Sequence, residues 1–272
     1  MAVEWKSLLL GLVAAGGLGY GAAVTWLYVR QERLLFQPDL LPADHRYSAL
    51  GADVQELSIP VPGAKLSALY MKLRAPKGLV FYLHGNAGSL ESWFVNADFY
   101  RKAGYDLFMI DYRGYGKSSG RIQSEAQLRA DVRAAWDFVA PQYTQAGLRK
   151  VIYGRSLGTG LATGLAAEVQ PDLTLLVSPY TSMKNVVGTH FPYVPGRLLR
   201  YPLDSTRDLR RIEGQVLLIH GQRDTLIPPS HAEALLPLAR HGRMVLIPKA
   251  AHGDLQDFDS YREAIREALA GQ

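Results

Sequence analysis

Six short apolar runs constrain this chain more tightly than any other feature: Leu79–Leu83, Leu107–Ile110, Val151–Tyr153, Leu173–Val177, Val216–Ile219 and Met244–Ile247. Each is too short for a buried helix and lacks the alternation of a half-exposed strand, so each reads as a strand covered on both faces. Helical patterns lie between them at Glu91–Lys102, Glu125–Val139, Leu157–Val169 and His231–Ala239, and another follows at Asp259–Ala270. Strands alternating with helices predict an α/β fold, a mostly parallel sheet flanked by helices. Ahead of them, Val54–Val61 and Lys65–Lys72 alternate apolar and polar residues around Pro62-Gly63, the pattern of a hairpin. Residues 179–211 carry no clear strand and are expected to form a short lid over the sheet.

In a parallel sheet, ligands bind beyond the carboxyl ends of the strands, so chemistry is sought just after each apolar run. Gly154-Arg155-Ser156-Leu157-Gly158 lies there, between a strand and the helix that opens at Leu157. Glycines on both sides of a serine allow the sharp elbow that lifts a nucleophile out of the sheet. The expected base is His252, in Ala250-Ala251-His252-Gly253-Asp254 after the last run, and the expected orienting carboxylate is Asp224, in Gly221-Gln222-Arg223-Asp224. Asp204 and Asp254 are rivals for the acid. Of the other histidines, His220 and His231 read as structural, and His45, His190 and His241 fall in loops or on polar surface. The backbone N–H groups of Asn86, in the turn His84-Gly85-Asn86-Ala87-Gly88, and of Leu157, at a helix N-terminus, are expected to form an oxyanion hole. Asp111-Tyr112-Arg113-Gly114-Tyr115-Gly116-Lys117-Ser118 reads as a mostly structural loop near the same edge.

The N-terminus makes a separate demand. No residue from Ser7 to Val29 is charged, with Lys6 before the stretch and Arg30, Glu32 and Arg33 after it. At about 1.5 Å per residue it covers roughly 34 Å, enough to span a bilayer core of about 30 Å. Trp5, Trp26 and Tyr28 lie near its ends, where aromatic rings favour the membrane interface. A retained transmembrane anchor is expected over residues 1–37, with the folded domain over 38–272. The alternative is a cleaved signal peptide with Leu8–Leu12 as its apolar core, for which the stretch is long and Leu34-Leu35-Phe36 continues it. A short N-terminal tail ahead of a single anchor places the domain on the non-cytoplasmic side, although Arg30 and Arg33 pull the other way. Glycines at 11, 16, 17, 19 and 21 permit close helix packing and thus a homodimer through the anchor.

Composition removes several function classes. The 272 residues contain no cysteine, which excludes disulfides, thiol catalysis and cysteine-held metals. A net charge of +5 without a basic run interleaved with aromatics gives no sign of nucleic-acid binding, and an anionic membrane surface suits the excess better.

Taken together, HGNAG, DYRGYGKS, GRSLG, GQRD and AHGD, from about Val54 to Ala270, resemble the α/β-hydrolase superfamily. The anchor with Gln31-Glu32-Arg33-Leu34-Leu35-Phe36-Gln37-Pro38, the HGNAG turn and Phe191-Pro192-Tyr193-Val194-Pro195 are similar to the membrane-anchored abhydrolase-domain group, the eukaryotic depalmitoylases and their bacterial relatives. That resemblance implies a triad of Ser156, Asp224 and His252, no cofactor or metal, and an ester, thioester or lipid acyl substrate. The chain departs from the eukaryotic members in lacking N-terminal cysteines for acylation. The lid mixes Tyr193, Leu198, Leu199 and Tyr201 with Arg197 and Arg200, a surface expected to meet an anionic bilayer. Rival functions are amide hydrolysis by the same machinery and a non-catalytic scaffold on the same fold.

Overall fold

The computed structural model describes residues 2–48 and 51–271. Its centre is an eight-stranded sheet: β1 (Val54–Val61), β2 (Ala64–Met71), β3 (Gly78–Leu83), β4 (Tyr105–Ile110), β5 (Arg149–Arg155), β6 (Leu173–Val177), β7 (Gln215–Gly221) and β8 (His241–Ile247). Their order is β1-β2-β4-β3-β5-β6-β7-β8, and β2 alone runs against the rest. This is the mostly parallel sheet that the apolar runs predict, and it agrees with the fold that the resemblance to α/β-hydrolases implies.

Every residue of β3, β4 and β6 is buried, as continuous apolar runs require. The two-residue pleat sends alternate side chains to opposite faces. Phe81, Phe108 and Ile152 pack on one side, Val80, Tyr82, Leu107 and Tyr153 on the other. Tyr82 and Tyr153 are directly opposite in register and their rings stack at 4.2 Å.

The helices, in chain order, are α1 (Ala2–Val29), α2 (Gln31–Leu35), α3 (Leu90–Trp93), α4 (Ala97–Ala103), α5 (Glu125–Val139), α6 (Pro141–Gln145), α7 (Leu157–Val169), α8 (Met183–His190), α9 (Ser205–Leu209), α10 (Ser230–Leu235) and α11 (Asp259–Ala270). α5 and α7 bury Trp136, Val132, Leu161 and Leu165 against one face of the sheet. On the other face α4 and α11 bury Tyr100, Ile265 and Ala268. Two expected helices are shorter than their patterns. Glu91–Lys102 divides into α3, a 3-10 turn at Phe94–Asn96 and α4, with the Trp93 indole donating to the Ala87 carbonyl at 2.7 Å. His231–Ala239 becomes α10 and a 3-10 turn at Leu236–Leu238, because Pro237 has no N–H to continue the α-helix. Residues 179–211 hold α8, a 3-10 turn at Gly196–Leu198 and α9, with no strand.

α1 stands out from the body, with its side chains largely exposed, and Trp5–Val29 is long and apolar enough to cross a membrane. The segment after α1 is woven into the domain. Gln31 and Phe36 are buried, the Phe36 ring meets Tyr201 edge-on at 5.1 Å, and Gln37-Pro38 pairs with Ala87-Gly88. Glu32 accepts from the Tyr201 hydroxyl at 2.8 Å.

Candidate active site

β5 ends at Arg155, and the next residue turns the chain through the elbow into α7. Ser156 takes φ 50° and ψ −120°, its N–H donates to the Val177 carbonyl at 2.9 Å, and its own carbonyl accepts from Thr159 N at 2.8 Å. The flanking glycines are sterically required. A Cβ on Gly158 would lie 2.1 Å from the Leu83 carbonyl oxygen, and one on Gly154 would lie 2.7 Å from Ala162 Cβ. Their absence lets α7 dock directly against the end of β3.

The structure brings together three residues from three strand ends. His252 Nε2 is 3.0 Å from Ser156 Oγ, and His252 Nδ1 is 2.7 Å from Asp224 Oδ2. The loops bearing the histidine and the acid touch backbone to backbone, since a Cβ on Gly221 would meet the Ala250 carbonyl oxygen at 2.6 Å. Asp224 Oδ1 accepts from Leu226 N at 3.0 Å and Ile227 N at 2.8 Å. Burial favours the neutral acid, but hydrogen bonds from His220, His252 and Ile227 outweigh it and hold Asp224 well below the usual carboxylate range. This carboxylate therefore stays ionised where it meets the imidazole.

The rival acids have other partners. Asp204 caps α9, accepting from Thr206 N at 3.0 Å, and Asp254 accepts from Ala251 N at 2.7 Å in the histidine loop. His220 is buried, with Nε2 2.7 Å from the Ile227 carbonyl and 3.4 Å from Asp224 Oδ2, so it braces the acid. His231 Nδ1 lies 2.9 Å from Thr181 Oγ1. His45 pairs with Glu91, His190 Nε2 is 2.9 Å from the Leu226 carbonyl, and His241 is exposed at the start of β8.

Asn86 and Leu157 flank the same edge. The Asn86 carbonyl accepts from Gln37 N at 2.8 Å and from the Tyr115 hydroxyl at 2.6 Å, which fixes the plane of that turn. The N–H groups of Asn86 and Leu157 donate to no acceptor among the described residues. The loop after β4 supports the turn from beneath: the Tyr112 hydroxyl donates to the His84 carbonyl at 2.9 Å, and Asp111 Oδ1 accepts from Leu90 N at 3.0 Å. Arg113 forms a buried ion pair with Asp131 that ties the loop to α5. Among the described residues no cluster of three His, Asp or Glu side chains is placed to hold a metal ion.

One contributor went unread in the sequence. The guanidinium of Arg155, 6% exposed, donates to Ser178 Oγ at 2.8 Å and to the backbone carbonyl of His252. It links the nucleophile elbow to the histidine loop. The residue between glycine and serine carries no sequence signal for where its side chain points.

The family described as serine aminopeptidase, S33, matches residues 74–202. An uncharacterized protein of Mycobacterium tuberculosis is 31% identical over 268 residues, covering 96% of this chain and 94% of that one. Protein bem46 of Schizosaccharomyces pombe is 30% identical over 215 residues, 75% and 72% of the two chains. Alpha/beta hydrolase domain-containing protein 17B of Xenopus laevis is 29% identical over 235 residues, 84% and 80%. Among solved structures, an esterase of Pyrococcus furiosus superposes with a TM-score of 0.70 at 19% identity, over 87% of this chain and 97% of that one. Sheet order, elbow and these relatives place the chain in the α/β-hydrolase superfamily, as a hydrolase related to bem46 and the abhydrolase-domain 17 proteins.

Proposed function

We propose that this hydrolase is a membrane-anchored serine esterase that cleaves carboxylic acyl esters through an acyl-enzyme on Ser156. The observation that carries the reading is the unbroken hydrogen-bonded line from Ser156 Oγ through His252 to the ionised Asp224. In this cycle His252 takes the serine proton as Oγ attacks the acyl carbon. The N–H groups of Asn86 and Leu157 receive the oxyanion. His252 then protonates the leaving group, and water repeats the sequence to release the acid. Asp224 keeps the imidazole in the tautomer with Nδ1 protonated and stabilises its charged form.

The anchor is α1, uncharged from Ser7 to Val29 and long and apolar enough to cross a membrane. We propose that the catalytic domain lies on the non-cytoplasmic side of that anchor. The absence of native cysteine makes this directly measurable. Ser260→Cys puts a single thiol on exposed α11, and a membrane-impermeant maleimide should label it only from the outer side of intact cells.

An amide-cleaving enzyme is the second reading, favoured by the peptidase description of the matching family. Matched p-nitrophenyl esters and aminoacyl anilides decide between them. The ester reading requires hydrolysis of acyl esters that Ser156→Ala lowers by at least about 10³-fold. Turnover of anilides with inert esters would replace it.

A further inference from the structure

The strongest unexplained feature lies where the N-terminal helix meets the lid. An apolar cavity of about 230 Å³ opens there, with Val24 and Leu27 of α1 and Leu34 of α2 on one side and Val187, Phe191 and Leu198 on the other. The buried amide of Gln31 is satisfied within the wall. Gln31 Nε2 donates to the Leu198 carbonyl at 2.8 Å, and Gln31 Oε1 accepts from Arg200 N at 2.8 Å. The rest of the lining is mostly apolar.

The lid reaches further along α1 than a soluble cap needs to. The Tyr20 hydroxyl donates to the Tyr193 carbonyl at 2.7 Å. Tyr20 lies nine residues before Val29, the last residue of α1, which is roughly 13 Å of helix at 1.5 Å per residue. If α1 spans a bilayer with a core of about 30 Å, the uncharged tip Phe191–Pro195 lies inside the adjoining leaflet. Phe191 and Tyr193 are 54% and 83% exposed, the large apolar surface that lipid covers and water does not. At the other end, near the last turn of α1, the Arg200 guanidinium pairs with Glu32 and stacks on Tyr28 at 5.3 Å, placing a cation at the level of lipid headgroups.

We propose that this chamber seats an acyl chain of a bilayer phospholipid, beside the catalytic mouth. The proposal rests on reading α1 as a membrane span. α8 connects the two places. Val187 lines the chamber, while His190 at the helix end contacts the Leu226 carbonyl, two residues beyond Asp224. A chain lodged in the chamber thus presses on the helix that roofs the acid loop, and lipid reaches the enzyme sideways from the leaflet.

The test uses the full chain in phosphatidylcholine vesicles containing a phosphatidylcholine with a diazirine on its acyl chain. After illumination, adducts are mapped by peptide mass spectrometry. The expected result is labelling of the chamber wall, at 184–187 and 196–199, as well as of α1 and the exposed tip 191–195, with the wall adducts lost when Val187→Trp and Leu198→Trp fill the chamber. A lipid with the diazirine on its headgroup should mark the lid near Arg200 and leave Val187 and Leu198 unmarked. Chain adducts confined to the outer face of α1 and the exposed tip would overturn the proposal, as would wall adducts that persist in the filled variant. The wild-type map decides alone if the filled variant does not fold. Fluorophosphonate labelling of Ser156 on the same samples reads the esterase proposal separately, so either idea is able to fail without the other.

Discussion

Ser156, the proposed nucleophile, takes a backbone conformation that side-chain-bearing residues seldom adopt, φ 50° and ψ −120°. Such a conformation stores about 1–3 kcal/mol, and glycine relieves it. Ser156→Gly should therefore be inactive yet melt at a higher temperature than Ser156→Ala, which loses the hydroxyl and keeps the strain. Equal melting temperatures by differential scanning fluorimetry would contradict a strained elbow. The turn itself was legible, because glycines on both sides of a serine permit a sharp strand-to-helix elbow. Arg155 was not legible, because its role depends on a carbonyl 97 residues away, that of His252. Arg155→Met should lower kcat by up to about 10²-fold through misplacement of the imidazole, with KM little changed. Arg155→Lys should recover part of the loss. A variant that changes KM alone would make Arg155 a substrate contact instead of a positioning residue.

At the scale of elements, the sequence yielded the strands, α5, α7 and α11 closely, because apolar periodicity is local. The structure adds that Ser124 caps α5 by accepting from Gln127 N at 3.1 Å. The breaks in the Glu91–Lys102 and His231–Ala239 patterns were missed, since a 3-10 turn keeps the apolar spacing of the helices beside it. The expected boundary at residue 37 was read from polarity, whereas the structure packs Gln31, Glu32 and Phe36 into the body through partners near residue 200. A soluble form beginning at residue 38 should thus be less stable than one beginning at residue 30. Removing a buried phenylalanine alone costs about 3–5 kcal/mol, so Phe36→Ala in the longer form should reproduce most of the difference in urea denaturation. Equal midpoints for the two forms would show that α2 contributes nothing to the fold. Gly158→Ala should be more damaging than either, because its Cβ would fall on the backbone of β3 and α7 has no room to retreat.

For the molecule as a whole, stability should carry the signature of a buried pair beneath the HGNAG turn. Asp111 and His84 lie 3.7 Å apart, both fully buried. Burial pushes the Asp111 carboxyl up to about 8 and the His84 imidazole down to about 4, so both are neutral near pH 6. The folded chain keeps a proton on Asp111 that the unfolded chain releases near pH 4. The stability it contributes is therefore full below about pH 4 and lost as pH rises through about 8. His84 acts in the opposite sense, its contribution lost as pH falls from about 6.5 towards 4. Asp111→Asn removes the first effect, so its melting temperature relative to wild type should rise steadily from pH 5 to pH 9. A constant difference would mean that the carboxyl is ionised in the fold. Sequence alone placed Asp111 in a structural loop but gave no sign of this pairing, which exists only once the ends of β3 and β4 lie side by side. The activated serine is tested directly by fluorophosphonate labelling of the full chain in membranes, with peptide mapping. A single adduct is expected on Ser156, absent in Ser156→Ala and strongly slowed in His252→Ala. An unlabelled wild type that is shown to be folded, or an adduct at another residue, would contradict it.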